Sequence, residues 1–445
     1  MLKLTHRALT VLMFLLSPIF AQSATAAPKP TNESVALSPA VEWQAGGSLR
    51  LRYEWKQGFA LGSPSTFDPQ DYLLSQLRLH TKIHHGDQWS LYLEGQDARV
   101  NNAFWRNNIN DKKAANIFAD QFDLHQAFLD ISWGDEFASR LRLGRQKFNL
   151  GAQRMIASLE WVNTARVWDG IRLTQHLGSK GRQLDLFASQ LVPVRPHRFN
   201  SHAFTGNRLF DSQLYGAYLS DKEFMSNAQV DFYYLLRRNI HLGDRVQTFG
   251  LRYAWLARGW DADSEVMMQT GRYGFLQQQA YAAHIGAGRT ILKNIHLGIA
   301  YNYASGDSSA TDNKHQTFDN LYPLNHAYYG YMDLFSLQNI HNGEVALRWK
   351  PYEKTILRLA YQGFWLAKPS TDAWYNAGAG VVRNSATATS SYVGSEIDIT
   401  ASTQLRSFPL TLMLGYSHFF AGSYVAQSGT TSDADFFFSQ GKYLF

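Results

Sequence analysis

A transmembrane antiparallel β-barrel of about eighteen strands, all-β and with long extracellular loops, is the fold the sequence predicts. Three observations predict it. Apolar and polar side chains alternate with a period of two over most of the chain, the signature of strands with one apolar face. Aromatic residues reach 14%, with 23 Tyr and 28 Phe, although the mean hydropathy is −0.30 and only 18% of residues are charged. The chain closes on Phe445, with Tyr443 at barrel spacing and Phe437 further back, the pattern read by the outer-membrane assembly machinery.

At the N-terminus, Lys3 and Arg7 precede an apolar run from Ala8 to Leu16, extended by Ile19 and Phe20. That run is shorter than the ~20 residues a membrane helix needs. With Ala24-Thr25-Ala26 as an A-x-A cleavage site, residues 1–26 read as a signal peptide cut after Ala26. Its removal takes two positive charges and no negative ones, lowering the formal net charge from +6 to +4. Residues 27–40 contain Pro, Ser and Asn and read as a flexible lead. The barrel is expected over residues 41–445, in the outer membrane of a Gram-negative cell. Cysteine is absent, which excludes a disulfide framework, thiol catalysis and Cys-based zinc sites.

The strands follow in order. Leu49, Leu51, Tyr53 and Trp55 alternate with Arg50, Arg52, Glu54 and Lys56; Leu77, Leu79 and Ile83 with Arg78, His80 and Lys82; Trp89, Leu91 and Leu93 with Ser90, Tyr92 and Glu94. The pattern continues through Leu129 to Trp133, Leu141 and Leu143, Leu184 and Leu186, Val230 to Tyr234, and Phe249 to Trp255 around Arg252. Leu297, Ile299, Tyr301 and Tyr303 alternate with His296, Gly298, Ala300 and Asn302. Val345 to Trp349, Leu357 to Tyr361, Ile397 to Ile399 and Leu410 to Tyr416 complete the series. A soluble sandwich also alternates. Here, however, the polar faces favour Arg, 27 against 15 Lys, and aromatics sit at the ends of the apolar faces, as in membrane girdles.

Connections alternate between short and long, as periplasmic and outer sides require. Gly86-Asp87, Gly134-Asp135, Ser179-Lys180-Gly181, Gly243-Asp244 and Pro351-Tyr352-Glu353 are of the short, periplasmic kind. Pro193–Asp211, Ser305–Ile340 and Ala367–Ser391 are long, the places where barrels carry plugs or binding surfaces.

Several stretches resemble the alginate export family of outer-membrane barrels: LRLGRQKFNLGAQRMI with WVNTARVWDGIRL, the loop FDNLYPLNHAYYGYMDLFSLQNI, VGSEIDI and GYSHFFAGSYV. The resemblance implies a monomeric eighteen-stranded channel with an electropositive lumen that passes an anionic or polyhydroxylated solute, an alginate-like polysaccharide being the family's case. It also implies a selectivity role for Arg145, the Arg of the GRQ motif. Planar guanidinium groups bind carboxylates bidentately and stay charged, so Arg154, Arg166 and Arg172 of the same stretch join it as pore candidates. Asp169, Glu396 and Asp398 are the expected counter-charges, because a conducting site must also release its solute.

The structural alternative for each of these Arg residues is a cross-lumen ladder in which Arg and acid satisfy one another. For the aromatic loop, His326, Tyr328, Tyr329, Tyr331 and Asp333 are the gate candidates, and the alternative is a loop folded onto the rim by its own aromatics. Membrane lipid and lipopolysaccharide, the assembly machinery, the solute and periplasmic export partners are the expected partners, with no cofactor and no nucleic acid. Two other readings stay open: a general or nutrient-uptake porin, and a surface enzyme or adhesin on a barrel. The enzyme reading finds no G-x-S-x-G or H-E-x-x-H, and Ser417-His418 point to opposite strand faces.

Overall fold

The computed structural model describes residues 35–38, 41–62, 69–101, 117–134, 139–202, 212–309 and 311–445. The expected signal peptide with its cleavage site, most of the N-terminal lead, Asp135 and the 203–211 part of one long connection lie outside the described residues.

Eighteen strands build the wall. They are β1 (Val41–Gln57), β2 (Gln70–His85), β3 (Trp89–Asn101), β4 (Asp120–Trp133), β5 (Ser139–Gln146), β6 (Trp168–His176), β7 (Arg182–Leu191), β8 (Ser212–Met225) and β9 (Ala228–Asn239). Then come β10 (Asp244–Ala257), β11 (Trp260–Tyr273), β12 (Leu276–Ile291), β13 (Ile295–Ala304), β14 (Ile340–Tyr352), β15 (Thr355–Leu366), β16 (Tyr392–Gln404), β17 (Leu410–Ala421) and β18 (Ala434–Leu444). Neighbours in this order pair antiparallel, and β1 pairs with β18 from Ser48 opposite Leu444 to Gln57 opposite Asp435, so the sheet is closed. Closure leaves the sheet without free first and last edges, which the hydrocarbon layer requires. No described helix is long and apolar enough to cross a membrane.

The period of two sorts the side chains as expected. On β13, Leu297, Ile299 and Tyr301 are exposed on the outer face, while Asn302, next after Tyr301, is buried within the lumen. Phe249, Leu251, Val266, Met268, Tyr281 and Ile285 form the same exposed apolar surface on β10–β12. Such a surface is costly in water and is matched by lipid.

Residues 86–88, 226–227, 258–259, 292–294, 353–354 and 405–409 lie at one end, together with the start of β1 and Phe445. That is the periplasmic end. The opposite rim carries every long connection and two tight turns, 240–243 and 274–275. The Gly243-Asp244 turn is therefore short, as its residues require, but it belongs to the extracellular rim. Its place in the up-and-down order decides the side; its length does not.

One part of the wall is thin. After Gln146 the chain leaves the sheet for the lumen and returns at Trp168, leaving β5 with 8 residues and β6 with 9. The outer half of β4 thus has no partner on that side. Residues 195–200 close the space: Gln121 N–H donates to the Pro196 carbonyl at 3.2 Å, Asn200 N–H to Asp123 Oδ2 at 2.6 Å, and Asn200 Nδ2 to Asp120 at 3.0 Å.

Candidate functional site

The lumen is crossed by two connections that meet in its middle. The first, residues 147–167, is tied to the β1–β3 wall by side chains whose inward positions the alternation sets. Arg50 donates to the Glu160 and Val162 carbonyls at 2.8 and 3.0 Å, and Arg52 to the Trp161 carbonyl at 2.7 Å while its guanidinium lies 4.0 Å from the Trp161 ring centre. Gln76 and Gln96 donate to the carbonyls of Asn163 and Thr164. The Asn163 amide in turn reaches the carbonyls of Ser75, Arg99 and Phe118. At the far end Arg154, 3% exposed, donates to Glu265 and Asp263 of β11, each at 3.0 Å. The segment is a strut braced on opposite walls.

Glu160 is the acidic member of this strut. Against a desolvation cost, Arg78 at 2.7 Å and Lys147 at 2.9 Å hold its carboxyl down at about 2. A folded-state value below the unfolded value of roughly 4.3 contributes stability above that pH, and loses it as pH falls toward the folded value. Acidification from about pH 5 to about pH 3 is therefore expected to loosen the strut, read as noisier and larger single-channel current. Glu160→Gln, which cannot titrate, is expected to abolish that acid response; an unchanged response in the variant would remove Glu160 from the explanation.

The second connection, residues 305–339, packs on the first. A parallel bridge joins Ile156 to Tyr322, with Ala157 N–H donating to the Tyr322 carbonyl at 2.8 Å and Tyr322 N–H to the Met155 carbonyl at 3.0 Å. On one side it holds Arg237 through Asp319 at 2.7 Å and Gln269 through the Asp319 backbone; on the other, Met332 N–H donates to Glu396 Oε1 on β16 at 3.0 Å. Gly330 makes that approach possible, since it has φ +91° and a Cβ there would fall 2.5 Å from the Glu396 carboxylate. Trp161 is clamped between the two connections and the wall: His326 stacks on it at 3.8 Å, with Tyr331 and Phe438 edge-on at 6.0 and 5.1 Å. The larger of two buried apolar clusters among the described residues lies here, inside the barrel, and includes Phe148, Ile156, Trp168, Tyr322, Tyr329 and Phe335.

Toward the periplasm from this junction lies a chamber of about 890 Å³, bordered by Arg154, Ala327 and Tyr328 and walled by β8–β15. Small inward residues, Gly286, Gly298, Ala300 and Ala346, leave the space open. Its charged lining comprises Arg154, Lys222, Arg252, Arg348 and Arg358 against Asp261, Asp263 and Glu344, with His284 and His296. Arg358 pairs with Glu344 at 2.8 Å, Arg252 with Asp231 and Asp263 at 3.0 Å, and His296 with Asp261 at 2.5 Å. Lys222 and Arg348 are exposed and have no acidic partner among the described residues.

Of the expected pore residues, Arg154 alone borders the chamber. Arg145 stands opposite Ala127 and Asp169, in the same alternating series as Leu141, Leu143 and Ile171, whose side chains form the outer face. There it forks onto Asp169 at 2.8 and 3.0 Å and donates to the carbonyls of Leu124 and Asn200. The register thus corrects the expectation of a lumenal Arg145: it and its counter-charge Asp169 lock the thin part of the wall. Arg172 faces inward but is occupied by Asp185 at 2.9 Å. Arg166 is half-buried and donates to the Pro323 carbonyl at 2.9 Å; desolvation pulls its guanidinium down to about 10.

Glu396 and Asp398 are buried and pair with no Arg among the described residues. Their partners are the Met332 N–H and the Ser417 hydroxyl at 2.5 Å, so they hold the second connection and the wall rather than an Arg. His326, Tyr328, Tyr329, Tyr331 and Asp333 are brought together, with His326 Nδ1 3.1 Å from Asp333 and Tyr328 over Arg154 at 4.5 Å. They lie across the lumen, not on the rim, because their partners Glu396, Phe438 and Arg154 come from inside it. Arg348, Arg358, Arg252 and Lys222 were not singled out as site residues. The available signal for the three arginines was their alternation with apolar neighbours, combined with inward Gly and Ala on the strands beside them; Lys222, between Asp221 and Glu223, carried no such signal.

The sequence profile of the family described as alginate export matches residues 41–438. The chain belongs to the alginate export family. No curated protein matches it in sequence. Among solved structures, the Pseudomonas aeruginosa protein OccK11 (OpdR) is 14% identical, with 91% of this chain and 96% of that one covered and a TM-score of 0.60. Pseudomonas aeruginosa OpdQ is 12% identical over 91% and 97% of the two chains at 0.61, and Acinetobacter baumannii OccAB4 12% over 93% and 100% at 0.59. At such identities the likeness is one of fold. This alginate export family member is an outer-membrane β-barrel channel of the Gram-negative envelope.

Proposed function

We propose that the channel is selective for anions and passes a carboxylated or polyhydroxylated solute through the periplasmic chamber and past the two crossing connections. One observation carries this reading: five permanent cations face three carboxylates in the chamber, and two of the cations, Lys222 and Arg348, are free to meet a solute. Guanidinium groups suit carboxylates, and partial neutralisation by Asp261, Asp263 and Glu344 keeps binding weak enough for release. Of the residues expected from sequence, Arg154 is assigned to the solute path and the aromatic group around His326 to the constriction.

Planar bilayers under a salt gradient test the proposal. The reversal potential is expected to have the sign of an anion-preferring pore, and Arg348→Glu to reduce that preference roughly two- to fivefold, the range for a screened, exposed charge. A cation preference in the parent protein would sink the reading.

A second reading, a porin for small anionic nutrients, is favoured by the tight bracing of the two connections, which leaves little room for a polymer. Current block separates the two: a monomeric uronate that blocks where oligouronates do not supports the small-solute reading. We further propose that residues 1–26 direct export, that Phe445 engages the assembly machinery, and that a polysaccharide exporter would meet periplasmic partners at the short-turn end. Phe445 and Gly47 exchange backbone hydrogen bonds of 2.7 and 3.1 Å beside the closing strands. Deleting Phe445 is expected to lower the amount of folded protein in the outer membrane several-fold, measured by heat-modifiable migration.

A further inference from the structure

On the outer face of β9–β11, just below the two tight turns of the extracellular rim, three arginines stand in one row. Arg238 is opposite Arg245, and Arg245 is opposite Arg272. The alternation that exposes Phe232, Phe249 and Met268 to lipid puts all three guanidinium groups on that same side. All three are exposed, and none has a carboxylate partner among the described residues. Their inward neighbour Arg237 differs: it is paired with Asp244 at 2.9 Å and Asp319 at 2.7 Å. Like charges directly opposite one another across strands repel, so the row lacks a counter-ion that the protein itself does not supply.

Below the row, four residues or about 13 Å further along each strand, the outer face sinks into an apolar hollow of about 490 Å³. It is lined by Ala217, Leu219, Phe232, Phe249, Leu251 and Met268. Small Ala217 among these large side chains is what makes the depression. Above it, the turns 240–243 and 274–275 are the only short connections on the described extracellular rim. They present Ile240, Leu242 and a fully exposed Phe275 at the membrane surface.

A row of guanidinium groups over a greasy hollow matches an amphiphile with an anionic head and acyl tails. Guanidinium groups fork onto phosphate as they do onto carboxylate. We propose that this face binds the phosphorylated glycolipid of the outer leaflet, lipopolysaccharide, with its phosphates on Arg238, Arg245 and Arg272 and an acyl chain in the hollow. A free phosphate would account for the arginines and leave the hollow unused.

The test uses the full-length protein purified in detergent and titrated with rough lipopolysaccharide, with the same lipid stripped of its phosphates, and with phosphatidylglycerol vesicles. Binding and co-purified lipid are read by native mass spectrometry. The parent protein is expected to bind the phosphorylated glycolipid at least tenfold more tightly than either of the others. The triple variant R238E/R245E/R272E is expected to lose at least tenfold in affinity, while R289E, an outward arginine at the periplasmic end beside Trp260, is expected to bind like the parent. Should the triple Glu variant not fold, R238Q/R245Q/R272Q provides the comparison, with heat-modifiable migration as the check on folding. Equal binding of the stripped lipid or of phosphatidylglycerol, or a folded triple variant that binds within twofold of the parent, would overturn the proposal.

Discussion

Arg154→Ala is expected to raise single-channel conductance and to shift selectivity toward cations. Among the described residues, Arg154 makes the only hydrogen bonds between the tip of the first crossing connection and β11, and both its partners, Asp263 and Glu265, stay behind in the variant. Breaking a buried pair by removing one member costs about 3–5 kcal/mol, most of it from the uncompensated charge. The tip can recover part of that cost only by leaving the wall so that water reaches the two carboxylates. The roof of the chamber then opens, and Glu265 joins Asp263 in its lining where one cation was lost. Conductance and reversal potential in planar bilayers read both effects. If both stay at parent values while the protein folds, Arg154 neither braces the constriction nor sets its charge.

Trp161→Ala is expected to have the other large effect, on gating rather than on selectivity. The ring touches His326 and Tyr331 from the second connection, Arg52 from β1 and Phe438 from β18. Replacing a buried aromatic by Ala costs about 3–5 kcal/mol, and this half-buried ring with its cation–π contact falls near the lower end, about 3 kcal/mol. With the clamp gone, the two connections are held together by the Ile156–Tyr322 bridge and its flanking hydrogen bonds, Leu324 N–H to the Gln153 carbonyl and Arg166 to the Pro323 carbonyl. Frequent closing and opening transitions are expected in records where the parent is quiet. A variant as quiet as the parent would mean that the bridge, and not the aromatic clamp, sets the constriction.

The wall was legible in the sequence because lipid outside and water inside impose a period of two that each strand carries by itself. Leu297, Ile299 and Tyr301 announce an outer face without reference to any other strand. The lumen was harder to read. Whether an Arg near the end of a strand points in or out depends on phase, and Arg145 is one residue out of phase with Arg142, which faces inward onto Asp130 at 2.7 Å. Counting from Leu141 and Leu143 would have placed it outside. Charge density alone suggested a pore. The destination of residues 147–167 depends on partners more than 80 positions away, such as Gln76 for Asn163, and no local pattern encodes that. The aromatic loop was recognised as a unit, but its position across the lumen is set by Gly330 meeting Glu396, a contact between segments that read separately as a turn and a strand.

The position of Trp161 also bears on the order of events during membrane insertion. Arg52 and Phe438 sit on β1 and β18, the first and last strands, which must find each other for the cylinder to close. A ring that rests on both is a hinge pin across the seam. The 147–167 segment can dock on β1 through Arg50 and Arg52 before the seam with β18 closes, and so offers the last strand an apolar landing point. Assembly would then proceed around a preplaced core, and the same residues that narrow the finished passage would serve first as its scaffold.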